Sequence, residues 1–176
     1  MTLDPDTTLK LLSTVKLFEG FGPADLESFV AHSSSVTFIP AERIFAEGEP
    51  GRQMYVILMG KVEISRRAGT KTQKLMRLGP GETFGEMSLL LPAGVGRTAS
   101  VSAAERTIAL CIDRERLASI ADVAAKVYAN IARILATRLK MATDVVVLQS
   151  QTGAELPQSE TIGPTVVKRR MRNARG

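Results

Sequence analysis

VTFIP (Val36–Pro40), RIFAEGEPG (Arg43–Gly51), MYVILMGKVEIS (Met54–Ser65), QKLMRLGPGETFG (Gln73–Gly85) and RTASVSAAERTIALCID (Arg97–Asp113) are five runs that decide the fold. Each is short and apolar or alternating, and Gly or Pro separates it from the next. Apolar residues recurring at every second position suit a pleated strand, and turn residues about every ten positions suit antiparallel connections. The runs predict seven or eight strands from Val36 to about Ile112, in a β-sandwich or β-roll.

Outward from this block the period changes. Before it, Leu9, Leu12, Val15 and Leu17, then Leu26, Phe29 and Val30, recur at helical spacing, broken at Gly20, Gly22 and Pro23, and Pro23-Ala-Asp is a helix start. After it, Asp113 is placed as an N-cap for DRERLASIA. About 28 residues then carry Val123, Val127, Ile131, Ile134, Leu135, Leu139, Ala142, Val145 and Val146 as a stripe of helical period. Beyond Gln151 periodicity ends, and a flexible tail is expected. The expected organisation is therefore a helical segment over 1–33, a β-roll with its carboxyl-terminal helices over 34–150, and a basic tail over 151–176.

Composition removes several function classes. The chain has 176 residues, 44% hydrophobic and 23% charged, which suits a folded domain with extensions. No run approaches the ~20 apolar residues that cross a bilayer, and the amino terminus lacks the order of a signal peptide, so a cytoplasmic protein is expected. With one Cys (Cys111, within TIALCI) and one His (His32, read as a helix end), ligands for zinc or iron–sulfur sites are lacking. Cys111 is expected in the core. No cofactor, no metal and no catalytic residue are expected. Five of the 23 Lys and Arg residues fall in the last nine positions, KRRMRNARG, leaving 18 basic against 18 acidic residues before them. The net charge of +5 thus belongs to the tail, which suits either a solvated end or contact with an acidic partner such as RNA.

Chemistry concentrates in GPGETFGEMSLLLPAGVGRTASV (Gly79–Val101). Gly85 closes a strand and MSLLL opens a short helix, whose first N–H groups have no internal partner and suit an anion. Arg97 follows Glu86 by eleven residues and offers a forked, permanently charged donor to the same oxygens. Glu86 beside a phosphate makes sense if it accepts from a ligand hydroxyl. A plain surface ion pair between Glu86 and Arg97 remains the alternative on these residues alone.

FGEMSLL followed by RTASV resembles the phosphate-binding cassette of the cyclic nucleotide-binding domain family, and IFAEGEPGRQMYVILMGKVEI is similar to that family's strands framed by Gly48 and Gly60. The likeness covers about residues 16 to 148. It implies an α+β, mainly β fold: an eight-stranded, jelly-roll-like β-roll with helices before it, and a hinge helix plus a long lid helix after it. It places Glu86 on the ribose 2′-hydroxyl, Arg97 on the cyclic phosphate, and Gly85, Met87 and Ser88 where backbone N–H groups or a hydroxyl meet ribose or phosphate. Thr98 falls where a hydroxyl reaches phosphate or a syn guanine, so both cAMP and cGMP are implied as regulatory ligands. RLKMATDVV is similar to the lid helix, with Arg138, Ala142 and Thr143 near the base. The Glu-to-Arg spacing exceeds the family's common nine or ten because LPAGVG lengthens the loop.

The expectation is a regulatory sensor, not an enzyme, that signals to a protein effector through its lid helix. A homodimer is expected through Leu135, Leu139, Ala142, Val145, Val146 and Leu148, since this stripe outlasts the domain it can cover. About 25 polar residues follow the helix, too few for a helix-turn-helix domain, so nucleic-acid binding is expected only as an alternative through the tail. A ligand-free β-roll acting as an interaction protein is the other alternative.

Overall fold

The computed structural model describes residues 5–92 and 94–151, with side-chain surroundings for 7–92 and 94–147. The expectations for the tail after Gln151 and for the Leu148 side chain lie outside the described residues. Two units emerge, Met1–Ala136 and Thr137–Gly176.

Eight strands follow one another in the first unit: β1 (Ser34–Phe38), β2 (Arg43–Phe45), β3 (Gln53–Met59), β4 (Val62–Ala68), β5 (Lys71–Leu78), β6 (Thr83–Phe84), β7 (Ser100–Ala103) and β8 (Thr107–Asp113). They form two antiparallel sheets, ordered β1-β8-β3-β6 and β2-β7-β4-β5. This is the mainly-β roll that the strand pattern predicts. The two central strands of the first sheet show why it is stable. On β3, Met54, Val56 and Leu58 face one buried cluster while Tyr55 and Ile57 face another, and on β8 Ile108, Leu110 and Ile112 alternate with Ala109 in the same way. A period of two thus feeds two cores, one between the sheets and one beneath the helices. Cys111 departs from expectation: it is half-buried, packed against the inter-sheet cluster beside Tyr55, its partner across β3 and β8.

Helices cover the second core. They are α1 (Pro5–Leu12), a 3₁₀ turn (Lys16–Phe18) and α2 (Pro23–Ala31) before the sheets, and α4 (Arg114–Ala118) with the start of α5 (Ala121–Gln151) after them; α3 (Met87–Leu90) lies within the β block. Pro23 opens α2, with the Asp25 carboxylate accepting from the Gly22 N–H at 2.8 Å, and His32 caps its other end. Asp113 accepts from the Arg116 N–H at 2.7 Å, the expected N-cap of α4. Asn130, 3% exposed, donates through Nδ2 to the carbonyls of Leu17 (2.8 Å) and Glu19 (2.9 Å), which fixes α5 on the 3₁₀ turn. Lys126 meets Asp25 at 2.6 Å.

Along α5 the stripe divides. Val123, Val127 and Ile131 are buried and Ile134 and Leu135 partly so. In the second unit Leu139, Met141, Val145, Val146 and Val147 are exposed, Leu139 at 69%. Among the described residues, no helix is long and apolar enough to cross a membrane.

Candidate functional site

The cassette is built on β6, where Phe84 stacks on Tyr55 with ring centroids 4.8 Å apart. Gly85 follows with φ +78°, a left-handed turn that a side chain adopts only under strain. A Cβ there would come within 2.9 Å of both Arg97 Nη1 and the Gln53 carbonyl. The turn redirects the chain into Glu86, the N-cap of α3, and the helix runs only from Met87 to Leu90. Ser88 N–H already bonds to the Gly85 carbonyl (3.2 Å), so at the helix start the Met87 N–H remains without a protein partner among the described residues.

Glu86 and Arg97 are 4% and 6% exposed. The surface ion pair left open by the residue pattern is therefore excluded. Arg97 Nη1 donates to the Gln53 carbonyl at 2.7 Å, to Ser88 Oγ at 3.1 Å and to the Gly85 carbonyl at 3.3 Å, all uncharged acceptors. Its guanidinium carbon lies 4.0 Å from the centroid of the Phe45 ring, and its Nε is buried without a hydrogen-bond partner. Burial pulls the Arg97 pKa below its ordinary value, while Tyr55, Cys111, Glu49 and Glu86 push the other way. A guanidinium remains charged under such a shift, so this site holds a desolvated cation with an open donor.

The long loop delivers Arg97 through backbone pairing. Gly48 N–H donates to the Arg97 carbonyl and Arg97 N–H donates to the Glu49 carbonyl, both at 2.8 Å. Gly96 permits this approach, since a Cβ on it would lie 2.3 Å from the Gly48 oxygen. Gly51 presses on the guanidinium itself: a Cβ there would stand 2.1 Å from Arg97 Nε.

The structure brings Gly85, Glu86, Met87, Ser88 and Arg97 together around this turn. Ser88 Oγ is engaged within it, donating to the Gly85 carbonyl at 2.7 Å. Thr98, next to Arg97, is exposed. Arg138, Ala142 and Thr143 fall in the second unit, where Thr143 Oγ1 donates to the Leu139 carbonyl at 3.0 Å. A neighbouring cleft of ≈380 Å³ lies between residues of the Gly48–Arg52 turn and the Pro92–Gly96 loop and reaches Ser88 and Arg114; neither Glu86 nor Arg97 lines it. Sequence reading did not find Gly51, Gln53 or Arg114. Gln53 acts through its carbonyl, which any residue carries, and Gly51 acts on a side chain 46 positions away, so neither leaves a local signal.

Residues 35–123 match the family described as the cyclic nucleotide-binding domain. The chain belongs to that family. It is 33% identical over 132 residues to the CRP-like cAMP-activated global transcriptional regulator of Mycobacterium tuberculosis, covering 74% of this chain and 58% of that protein. It is 35% identical over 127 residues to the cyclic AMP receptor protein of Thermus thermophilus, covering 72% of this chain and 58% of the relative. The crystal structure of the Thermus thermophilus catabolite activator protein superposes with a TM-score of 0.68 at 34% identity, over 77% of this chain and 63% of that one. The chain therefore spans less than two thirds of the length of these relatives. Their names are those of regulators and receptors, and the family is one of regulatory nucleotide-binding domains. Among the described residues, no three His, Cys, Asp or Glu side chains gather as a metal site would require.

Proposed function

We propose that this chain is a sensor for a cyclic mononucleotide, cAMP or cGMP, that reports occupancy to another protein and performs no catalysis. The observation that carries the reading is Arg97: a cation 6% exposed, held only by neutral acceptors, with a buried Nε that has no partner. Burying a charge is costly unless an opposite charge meets it, and a cyclic phosphate is an anion with acceptors for the open donor.

The proposed contacts are those of the cassette. Arg97 takes the phosphate, Met87 and Gly85 offer backbone N–H groups, Ser88 shapes the turn beneath, Glu86 accepts the ribose 2′-hydroxyl, and Thr98 sits beside the phosphate. Arg138, Ala142 and Thr143 on α5 are proposed to face the base. The exposed Leu139, Val145 and Val146 suit a helix paired across a two-fold axis, so a homodimer is proposed, with an unidentified protein as the effector. Residues 1–33, 34–150 and 151–176 are the proposed helical, sensing and tail segments of a soluble protein.

The deciding experiment is calorimetric titration of the purified chain with cAMP, cGMP and cyclic dinucleotides. A cyclic mononucleotide is expected to bind at one site per chain. Loss of selection against 2′-deoxy-cAMP in Glu86→Ala is expected to accompany it. Absence of any nucleotide binding would replace this reading with that of a β-roll interaction protein. Light scattering of the native chain at micromolar concentration tests the dimer, and Leu139→Asp is expected to dissociate it.

A further inference from the structure

A second arginine touches the cassette from the opposite side. Arg114 is the first residue of α4, two residues short of the helix's midpoint, and α4 leads through Ser119 and Ile120 into α5. Its Nη2 donates to the Ser88 carbonyl at 2.5 Å and to the Leu91 carbonyl at 2.8 Å. The first is a late carbonyl of α3, with no partner inside so short a helix, and the second belongs to the residue that caps it. Its backbone N–H donates to the Arg52 carbonyl at 2.9 Å, and Arg52 in turn pairs with Glu115. Its Nε is buried with no partner.

Ser88 therefore stands between two guanidinium groups. Arg97 holds its hydroxyl, and Arg114 holds its carbonyl. The apolar side of the same short helix reinforces the connection, because Leu89 shares one buried cluster with Leu117 of α4 and Val127 of α5. A shift of α3 when an anion draws on Arg97 would be felt at Ser88 first, then at the root of α4. The orphaned Nε matters here. A guanidinium with every donor filled resists displacement, whereas one with a donor still open gains a bond if its surroundings move.

We propose that Arg114 is a positioning residue that latches the cassette helix α3 to the hinge helix α4, so that the state of the Arg97 site sets the docking of α4 and the start of α5. It makes no contact with the nucleotide. The coupling to nucleotide rests on the reading of the Arg97 site given above; the latch itself does not.

The test is amide hydrogen exchange on the full chain, native, Arg114→Ala and Arg114→Lys, with and without cAMP. Without nucleotide, Arg114→Ala is expected to speed exchange about tenfold or more at Ser88–Leu91 and at Leu117–Ile120 together, with the β3 amides unchanged. Arg114→Lys keeps the charge, but its ammonium reaches about one bond less far than the Nη2 that makes both contacts, and it is expected to fall between. Equal rates in all three proteins would overturn the latch, and so would acceleration of β3 to the same degree, which marks general destabilisation. Should Arg114→Ala fail to fold, the same comparison is read from Arg114→Lys. With cAMP, Arg114→Ala is expected to bind about tenfold more weakly, as a site that must first be ordered, and to lose ligand-induced protection of α4 while keeping it at Gly85–Met87. Full protection of α4 by cAMP in Arg114→Ala would overturn the coupling. If cAMP and cGMP bind none of the three proteins, the reading of the Arg97 site falls, while the nucleotide-free rates still decide the latch.

Discussion

The cassette from Thr83 to Arg97 and the hairpin from Val62 to Leu78 lie in one roll and treat charge in opposite ways. On the hairpin every cation with a partner is at the surface: Arg66 pairs with Glu47 at 3.4 Å, and Lys74 and Arg77 share Glu63 at 2.9 and 3.3 Å. In the cassette, Glu86 and Arg97 are buried, and the acceptors of Arg97 are two carbonyls and a hydroxyl. Solvated pairs add little to stability, and a desolvated cation facing neutral dipoles adds less still. The cassette's charges therefore serve something other than the fold. The hairpin's paired cations meet solvated carboxylates, whereas the cassette's cation meets only uncharged hydrogen-bond acceptors.

The largest effect that could break this comparison is at Arg97. Arg97→Ala removes a desolvated charge pair with the ligand, worth about 2 to 5 kcal/mol, so cAMP binding is expected to weaken about 30-fold to several thousandfold. Thermal stability should change far less than binding does, because the native chain already bears the burial of that charge. Lys74→Ala, in the hairpin, is expected to leave both unchanged. Calorimetry and thermal melts on the three proteins read the contrast. A large stability loss with intact binding in Arg97→Ala would invert the roles assigned to the two regions.

Gly51 sharpens the same point at an intermediate magnitude. It is proposed to touch no ligand, yet a Cβ there would stand 2.1 Å from Arg97 Nε and 2.4 Å from its Cζ. Gly51→Ala is expected to push the guanidinium off the Gln53 carbonyl, with overpacking of about 1 to 3 kcal/mol and nucleotide affinity reduced about tenfold. In an Arg97→Ala background the same substitution should be nearly neutral, since the clashing group is gone. A double-mutant cycle on stability reads this directly. Equal penalties in the two backgrounds would show that Gly51 is needed for its own backbone rather than for Arg97.

How much of this was legible depends on how local each cause is. The strands were, because alternation and Gly or Pro punctuation are properties of neighbours, and so were the Asp113 cap and the His32 helix end. The paired importance of Glu86 and Arg97 was visible as residue types in a glycine-framed segment. Their burial was not, nor was the pinning of Arg97 by Gly48 and Glu49, because strand-like backbone pairing across 48 or 49 positions leaves no trace in side-chain pattern. Arg114 looked like an ordinary first-turn residue of a capped helix. Cys111 lay in an apolar run whose full burial seemed implied, yet it stands half-buried at the side of Tyr55. Even the division of α5 follows from what surrounds it. Val127 and Val145 lie on the same side of the helix, about five full turns apart, but only the first belongs to a buried cluster.

The smallest effect belongs to the hairpin and comes from Glu63. Hydrogen bonding to Lys74, ahead of the attraction of its charge and the contacts with Arg77, holds the Glu63 carboxyl below the ordinary value of 4.5. A depressed carboxyl stabilises the fold above its unfolded pKa, and that contribution fades as pH falls through the lower folded value. The window therefore opens just below pH 4.5. Glu63→Gln is expected to flatten that part of the acid limb of a stability profile while shifting the melting temperature at neutral pH by only about one or two degrees, since both partners are solvent-screened cations. Added salt should shrink even this difference, because exposed charges lose their attraction as the screening length shortens. Nucleotide affinity at neutral pH should be the same in Glu63→Gln and the native chain. A change there comparable to that of Arg97→Ala would mean that the surface network and the buried site are one electrostatic unit, and the contrast between the two regions would fail.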